Sequence, residues 1–159
     1  MLFRSNFELG EFKIATSLMG SHTQKSSFKS SPASPVIECA GLYGDTCGNP
    51  TSKDRVNLSV GVDWRAFSAT VFVRHLSSVK IDNPDAYEIE KIKAFDYVDL
   101  SLQWKWNDKL KVTLAAQNLL DKDPTIVGNI PGANTSMNAY ADVYDPLGTR
   151  YSLGVSYKF

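Results

Sequence analysis

The 159-residue chain contains no apolar run long enough for a membrane-spanning helix, which needs about 20 consecutive apolar residues. That excludes a helical span but not a β-barrel, whose strands dilute their apolar residues by alternation. An excess of one charge is also missing. Lysine plus arginine number 17 and acids number 17, so no nucleic-acid partner is indicated. Histidine and cysteine are scarce, with only His22, His75, Cys39 and Cys47, which leaves little material for a metal centre or a nucleophilic triad, and no cofactor is expected. The opening residues Met1-Leu2-Phe3-Arg4-Ser5-Asn6 lack the basic start, apolar run and small-residue cleavage site of a secretory signal. For an exported protein this reads as a truncated or processed chain, or a gene fragment.

What the sequence does contain is alternation with a period of two. Tyr151, Leu153, Val155, Tyr157 and Phe159 alternate with Ser152, Gly154, Ser156 and Lys158, giving a strand with one aromatic-rich apolar face and one small or polar face. Val98, Leu100, Leu102, Trp104 and Trp106 alternate in the same way with Tyr97, Asp99, Ser101, Gln103 and Lys105. After a turn at Asn107-Asp108, Leu110, Val112, Leu114 and Ala116 return opposite Lys109, Lys111, Thr113, Ala115 and Gln117. Val56 to Arg65 and Phe67 to His75 form another such pair, joined near Ala66; Phe72 breaks the pattern of the second. Phe12 to His22 alternates less cleanly, and Phe3 to Phe7 looks like the end of one more strand. The fold class expected is all-β, an antiparallel meander of about six strands.

Connection lengths carry the next step. The segments are joined in turn by a short link, then Lys25 to Asp54, a short link, Ser77 to Ala94, a short link, and Leu119 to Gly148. Three long loops on one side and tight turns on the other describe an outer-membrane barrel, with short periplasmic turns and longer extracellular loops. A soluble sandwich has no reason to sort its loops, and loops this long are unusual in a compact domain. Register is strongly constrained, because a one-residue slip of Val98 to Trp106 would turn Asp99, Gln103 and Lys105 toward lipid, at about 2–4 kcal/mol for a lysine near the midplane. In this arrangement Trp64, Trp104 and Trp106 all fall at the short-turn ends of their strands, where an interfacial aromatic girdle is expected.

Two motifs resemble one family. Asn118-Leu119-Leu120-Asp121-Lys122 resembles the Asn-Leu-Phe-Asp-Lys pattern before the last long loop of TonB-dependent outer-membrane receptors, with Leu120 in place of the usual Phe. Tyr144-Asp145-Pro146-Leu147-Gly148-Thr149-Arg150-Tyr151 resembles that family's entry into its final strand. Cys39-Ala40-Gly41-Leu42-Tyr43-Gly44 with Cys47-Gly48 is similar to a loop of members from proteobacteria rich in such receptors. Tyr151, Leu153, Val155, Tyr157 and Phe159 resemble the C-terminal signal that the barrel assembly machinery reads.

The resemblance implies that residues 1–159 are the C-terminal part of a 22-strand barrel in the bacterial outer membrane, without the plug domain, TonB box or signal peptide. It implies uptake of a scarce ligand such as a siderophore, vitamin or glycan, no covalent chemistry, membrane lipid as a partner, and coupling to the TonB complex only through the missing N-terminal part. In the oxidising periplasm Cys39 and Cys47 are expected to form a disulfide clipping an outer loop; metal binding is the rival, weakly signalled with seven residues between them and no nearby His. Tyr43, Tyr87, Tyr140 and Tyr144 fall in the outer loops as candidate ligand contacts, beside the reading that they are loop residues without function. Gly128 and Gly132 lack the strand-to-helix context of a phosphate cradle, and Asp121, Asp123, Asp142 and Asp145 lack calcium-loop spacing. Asn57-Leu58-Ser59 and Asn134-Thr135-Ser136 match the glycosylation pattern, which means little in a bacterial chain. Two other classes remain, a soluble all-β ligand-binding module with a core between two sheets, and an outer-membrane barrel enzyme with a Ser–His or carboxylate pair meeting near the outer rim, to be exposed by mutating His75.

Overall fold

The alternating segments pair with their sequence neighbours into one antiparallel sheet. The computed structural model describes residues 1–130, 135 and 138–159. In chain order the strands are β1 (Leu2–Leu9), β2 (Phe12–His22), β3 (Ser27–Phe28), β4 (Ile37–Glu38), β5 (Leu42–Tyr43), β6 (Asp54–Trp64), β7 (Phe67–Leu76), β8 (Val79–Ile81), β9 (Lys91–Ile92), β10 (Phe95–Lys105), β11 (Leu110–Gln117) and β12 (Arg150–Tyr157). Seven of them form the large sheet, in the order β1-β2-β6-β7-β10-β11-β12. The count exceeds the six expected, because β1 is a full strand paired to β2 from Leu2↔Met19 to Leu9↔Phe12. The β10–β11 turn is also wider than Asn107-Asp108. It takes in Trp106 to Lys109, closed by the Asn107 side-chain carbonyl, which accepts from the Lys109 and Leu110 amides at 2.9 and 2.8 Å.

Register places every apolar stripe on one face. Across the sheet Ile14 stands opposite Val62, Val62 opposite Ala69, Ala69 opposite Leu102, Leu102 opposite Leu114, and Leu114 opposite Leu153. Because cross-strand partners project to the same side, this row continues through six strands. The opposite face carries Lys13, Asp63, Ser68, Gln103, Thr113 and Gly154 at the neighbouring level.

Burial is concentrated elsewhere. The long loops fold together over the end of the sheet: β5 pairs in parallel with β8, and β8 in antiparallel with β9, tying the first two loops to each other. Tyr43, Val79, Ile92, Ile130, Tyr140 and Tyr144 are closed off from solvent there, on a floor made by Leu76, Phe95 and Tyr97. Those three floor residues lie on the mainly polar face, and the cap above explains why they are apolar. Each fully buried Val or Ile in such a cluster contributes about 1.5–3 kcal/mol. No helix among the described residues is long and apolar enough to cross a membrane, which says nothing of strands.

Candidate functional site

The first functional surface is the apolar face itself. Sixteen of its large apolar side chains are 37–72% exposed, from Phe3 and Leu9 on β1 to Tyr151, Leu153 and Val155 on β12. A soluble monomer rarely exposes a continuous apolar patch larger than a few hundred Å2. At the short-turn end the face is closed by a line of rings. Phe12 stacks near Trp64 with centroids 6.0 Å apart, Trp64 near Phe67 at 6.1 Å, Phe67 near Trp104 at 5.9 Å, and Trp104 meets Trp106 edge-on at 4.8 Å. Contacts of this kind contribute about 0.5–1.5 kcal/mol each beyond area burial. All three expected tryptophans are in the row. Phe12 and Phe67 were not expected there, although each is the first residue of a strand leaving a tight turn. On β12, Tyr157 meets Phe159 edge-on at 5.3 Å.

Glu11 steadies this end. Its carboxylate accepts two hydrogen bonds from the Arg65 guanidinium, at 2.9 and 3.1 Å, and one from Trp64 Nε1 at 3.2 Å. The Arg65 contact, then the Trp64 one, hold the Glu11 carboxyl below its usual pKa. The same pair of bonds holds Arg65 in the left-handed region (φ 54°) that its turn requires.

At the other end of the apolar face stand two histidine–aspartate pairs. His22 Nδ1 and Asp54 Oδ1 are 2.6 Å apart, and His75 Nδ1 and Asp96 Oδ1 are 2.7 Å apart. Among the described residues no hydroxyl or thiol hydrogen-bonds to either imidazole, and no group of three His, Cys, Asp or Glu side chains is disposed to hold a metal ion.

The loop cap is the second surface. Cys39 and Cys47 form a disulfide, with an S–S distance of 2.05 Å. The loop it closes is seated on Asp82, which accepts from the Thr46 and Cys47 amides at 2.9 and 2.7 Å. Gly44 is required at this seat, since a Cβ there would lie 2.0 Å from the Asp82 carboxylate. The four tyrosines expected to meet a ligand do converge, but inward. Tyr43, Tyr140 and Tyr144 are 0–2% exposed and Tyr87 packs against their cluster. The rings of Tyr43 and Tyr140 meet edge-on at 5.6 Å, and the Tyr43 hydroxyl donates to the Ile89 carbonyl at 2.5 Å. Burial pushes the Tyr43 hydroxyl up to about 12, helped by the Asp82 charge; burial likewise pushes Tyr144 to about 12 and raises Tyr140. These three rings, from the first and third long loops, hold the loops together as the aromatic part of the cap's core.

The third feature lies where the two motifs meet. Asn118, buried and in the left-handed region (φ 50°), accepts from the Lys122 amide at 3.0 Å and donates to the Lys122 carbonyl at 3.1 Å, closing a tight turn. Its own amide donates to Asp99 at 2.8 Å, anchoring the turn to β10. The Thr149 hydroxyl donates to the Asn118 carbonyl at 2.7 Å, and the Thr149 amide to Asp121 at 2.9 Å. Gly148 is needed for this approach, because a Cβ there would lie 2.8 Å from the Asp121 carboxylate. Asp145 accepts from Arg150 at 2.7 Å, which holds its carboxyl below the usual range, and its amide donates to the Tyr97 hydroxyl at 3.1 Å. The two segments that resemble receptor motifs thus form one latch fixing where β12 begins. Asp121 and Asp145 are both engaged in it, by Thr149 and Arg150. Gly132 and the Asn134-Thr135-Ser136 pattern fall on or across residues outside those described, while Asn57 lies within β6.

Compared with known proteins, the chain matches no family model and no curated protein.

Proposed function

We propose that the chain is a section of the wall of a transmembrane β-barrel in the bacterial outer membrane, the C-terminal part of a 22-strand TonB-dependent receptor that takes up a scarce ligand. The observation that carries this reading is the uncovered apolar face, bordered by aromatic rings at the short-turn end and by the histidine–aspartate pairs at the other. Its height fits a membrane. Phe67 to His75 is eight steps along β7, about 27 Å at the rise of an antiparallel strand and roughly 20 Å of depth at usual barrel tilts, against an apolar band of about 25 Å. The cap then stands on the extracellular side and the polar face lines the lumen. The outer strands β1 and β12 each have one unpaired edge, and because lipid does not tolerate an open edge, further strands complete the wall.

Two observations weigh against the alternatives. A soluble two-sheet module needs Leu114, Trp104 and Trp106 in a common interior, yet they are 47, 37 and 62% exposed. An enzyme using His75 needs a nucleophile beside it, and its hydrogen bond goes to Asp96. The test is single-cysteine labelling in membranes of cells making the protein, with the disulfide-bonded native cysteines silent. Positions 99, 101 and 103 on β10 are expected to react with a water-soluble maleimide, and positions 98, 100 and 102 only with a lipid-soluble one. Uniform reaction at all six, or recovery of the protein only in the soluble fraction, would sink the proposal.

A further inference from the structure

The polar face carries a charge feature at the end away from the cap. Around the β10–β11 turn is a depression of about 580 Å3 lined by Lys105, Lys109, Lys111 and Lys158, with Arg65, Asp108 and Ser156 also on its walls. Lys105 and Lys111 are direct cross-strand partners. One level further along, the Lys158 amide donates to the Lys109 carbonyl at 2.9 Å, so these two lysines also stand side by side. Like charges placed directly opposite destabilise a sheet. No acid offsets the four lysines through an ion pair among the described residues, and Arg65 is already held by Glu11. A chain with no net charge therefore gathers four lysines without an ion-pair partner, against one aspartate, Asp108, in one concave place.

We propose that this depression binds an extended acidic polypeptide segment carrying carboxylates at alternate residues. Lys111 lies on β11 and Lys109 just before it, where the Lys158 amide still donates to the Lys109 carbonyl, so the two are about one same-side repeat of an extended chain apart, roughly 6.7 Å. A phosphate-bearing partner is less well matched. A lysine ammonium meets carboxylate or phosphate alike as a point charge, so it is the spacing of the lysines along an extended line that favours carboxylates carried on a peptide over a compact phosphate. Lys105 and Lys111 project to the face opposite the apolar one, so on the barrel reading a bilayer seated on the apolar face does not reach them; the lysine cluster itself does not depend on that reading.

The experiment uses the full chain in detergent micelles and two fluorescent peptides of about ten residues, a Glu-Ser repeat and its Gln-Ser counterpart. The Glu-Ser peptide is expected to bind and the Gln-Ser peptide not, with affinity falling about tenfold from low to physiological salt. Lys105→Gln with Lys111→Gln is expected to weaken binding about three- to tenfold, while Lys80→Gln with Lys91→Gln, in the cap, leaves it unchanged. If the first double variant fails to fold, the comparison of the two peptides on the unaltered chain decides the matter. Equal binding of both peptides, an unaltered affinity in a folded Lys105/Lys111 variant, or tighter binding of inorganic tripolyphosphate than of the Glu-Ser peptide each overturns the proposal.

Discussion

Replacing Val71 by lysine sets a charge in the middle of the apolar face. Val71 lies four residues from Phe67 in the aromatic row and four from His75 at the far boundary, about 13 Å along the strand from each and so near the midplane of a bilayer seated on this face. Its cross-strand neighbours are Val60 and Leu100, neither able to pair with an ammonium, and at 37% exposed it has no protein cover. The expected cost is about 2–4 kcal/mol, roughly a 30- to 1,000-fold loss in the folded-to-unfolded ratio. Thr70→Lys, one residue earlier, points to the wet face beside Gly61 and Ser101 and is expected to change stability by less than about 0.5 kcal/mol. Val71→Phe separates lipid from packed protein. Added carbon in a packed core costs about 1–3 kcal/mol, whereas fluid acyl chains make room for it at almost no cost. Urea titration in phosphatidylcholine vesicles reads all three variants through tryptophan emission, because all three tryptophans sit in the aromatic row. A loss of about 1–3 kcal/mol for Val71→Phe, or equal losses for Thr70→Lys and Val71→Lys, would refute the reasoning.

Three further outcomes test the cap and the latch. Asn118→Ala removes both hydrogen bonds to Lys122 and puts a Cβ-bearing residue with no local partner in a left-handed conformation, at about 2–3 kcal/mol by urea titration. Asn118→Gly is expected to recover about 1 kcal/mol of that, the backbone share; no recovery would mean that the backbone contributes nothing. Cys39→Ser with Cys47→Ser opens a loop of sequence separation 8, worth about 2.5 kcal/mol by loop entropy, and hydrogen exchange is expected to rise at Thr46 and Cys47 and not in β10. Because the Tyr43 and Tyr144 hydroxyls are pushed to about 12 in the folded cap, against about 10 in an unfolded chain, their stabilisation is complete below about pH 10 and lost as pH rises through 12. Phenolate absorbance is expected to show late-ionising groups that merge with the rest once the cap opens; a single titration near pH 10 for all seven tyrosines would contradict their burial.

The sheet was legible because its physics is local. A strand with one wet and one apolar face must alternate, and the stripe of Val98, Leu100, Leu102 and Trp104 fixes both the strand and its register. Phe12 to His22 is a strand over its full length even though Thr16 and Met19 blur its pattern. β1 was harder to size, because Leu2, Phe3, Phe7 and Leu9 fall on both faces and only pairing with β2 sets its length. The cap was not legible. Its two- and three-residue strands are too short for periodicity, and Tyr43, Val79, Ile92 and Tyr140 come together only through contacts between distant loops. One local sign was present, since Val79-Lys80-Ile81 alternates buried, exposed, buried. The latch was visible as two motifs but not as one object, because the join between Asn118 and Thr149 spans 31 residues.

The number of strands in the large sheet has its own consequence. With seven in an antiparallel meander, the first and the last point the same way. A ring closed by bringing those two edges together, or by lining up copies with their tight turns on a common side, would contain a seam of codirectional strands. Alternation all the way round is restored only by an odd complement, so in a closed, fully antiparallel ring the number of strands added to these seven is odd.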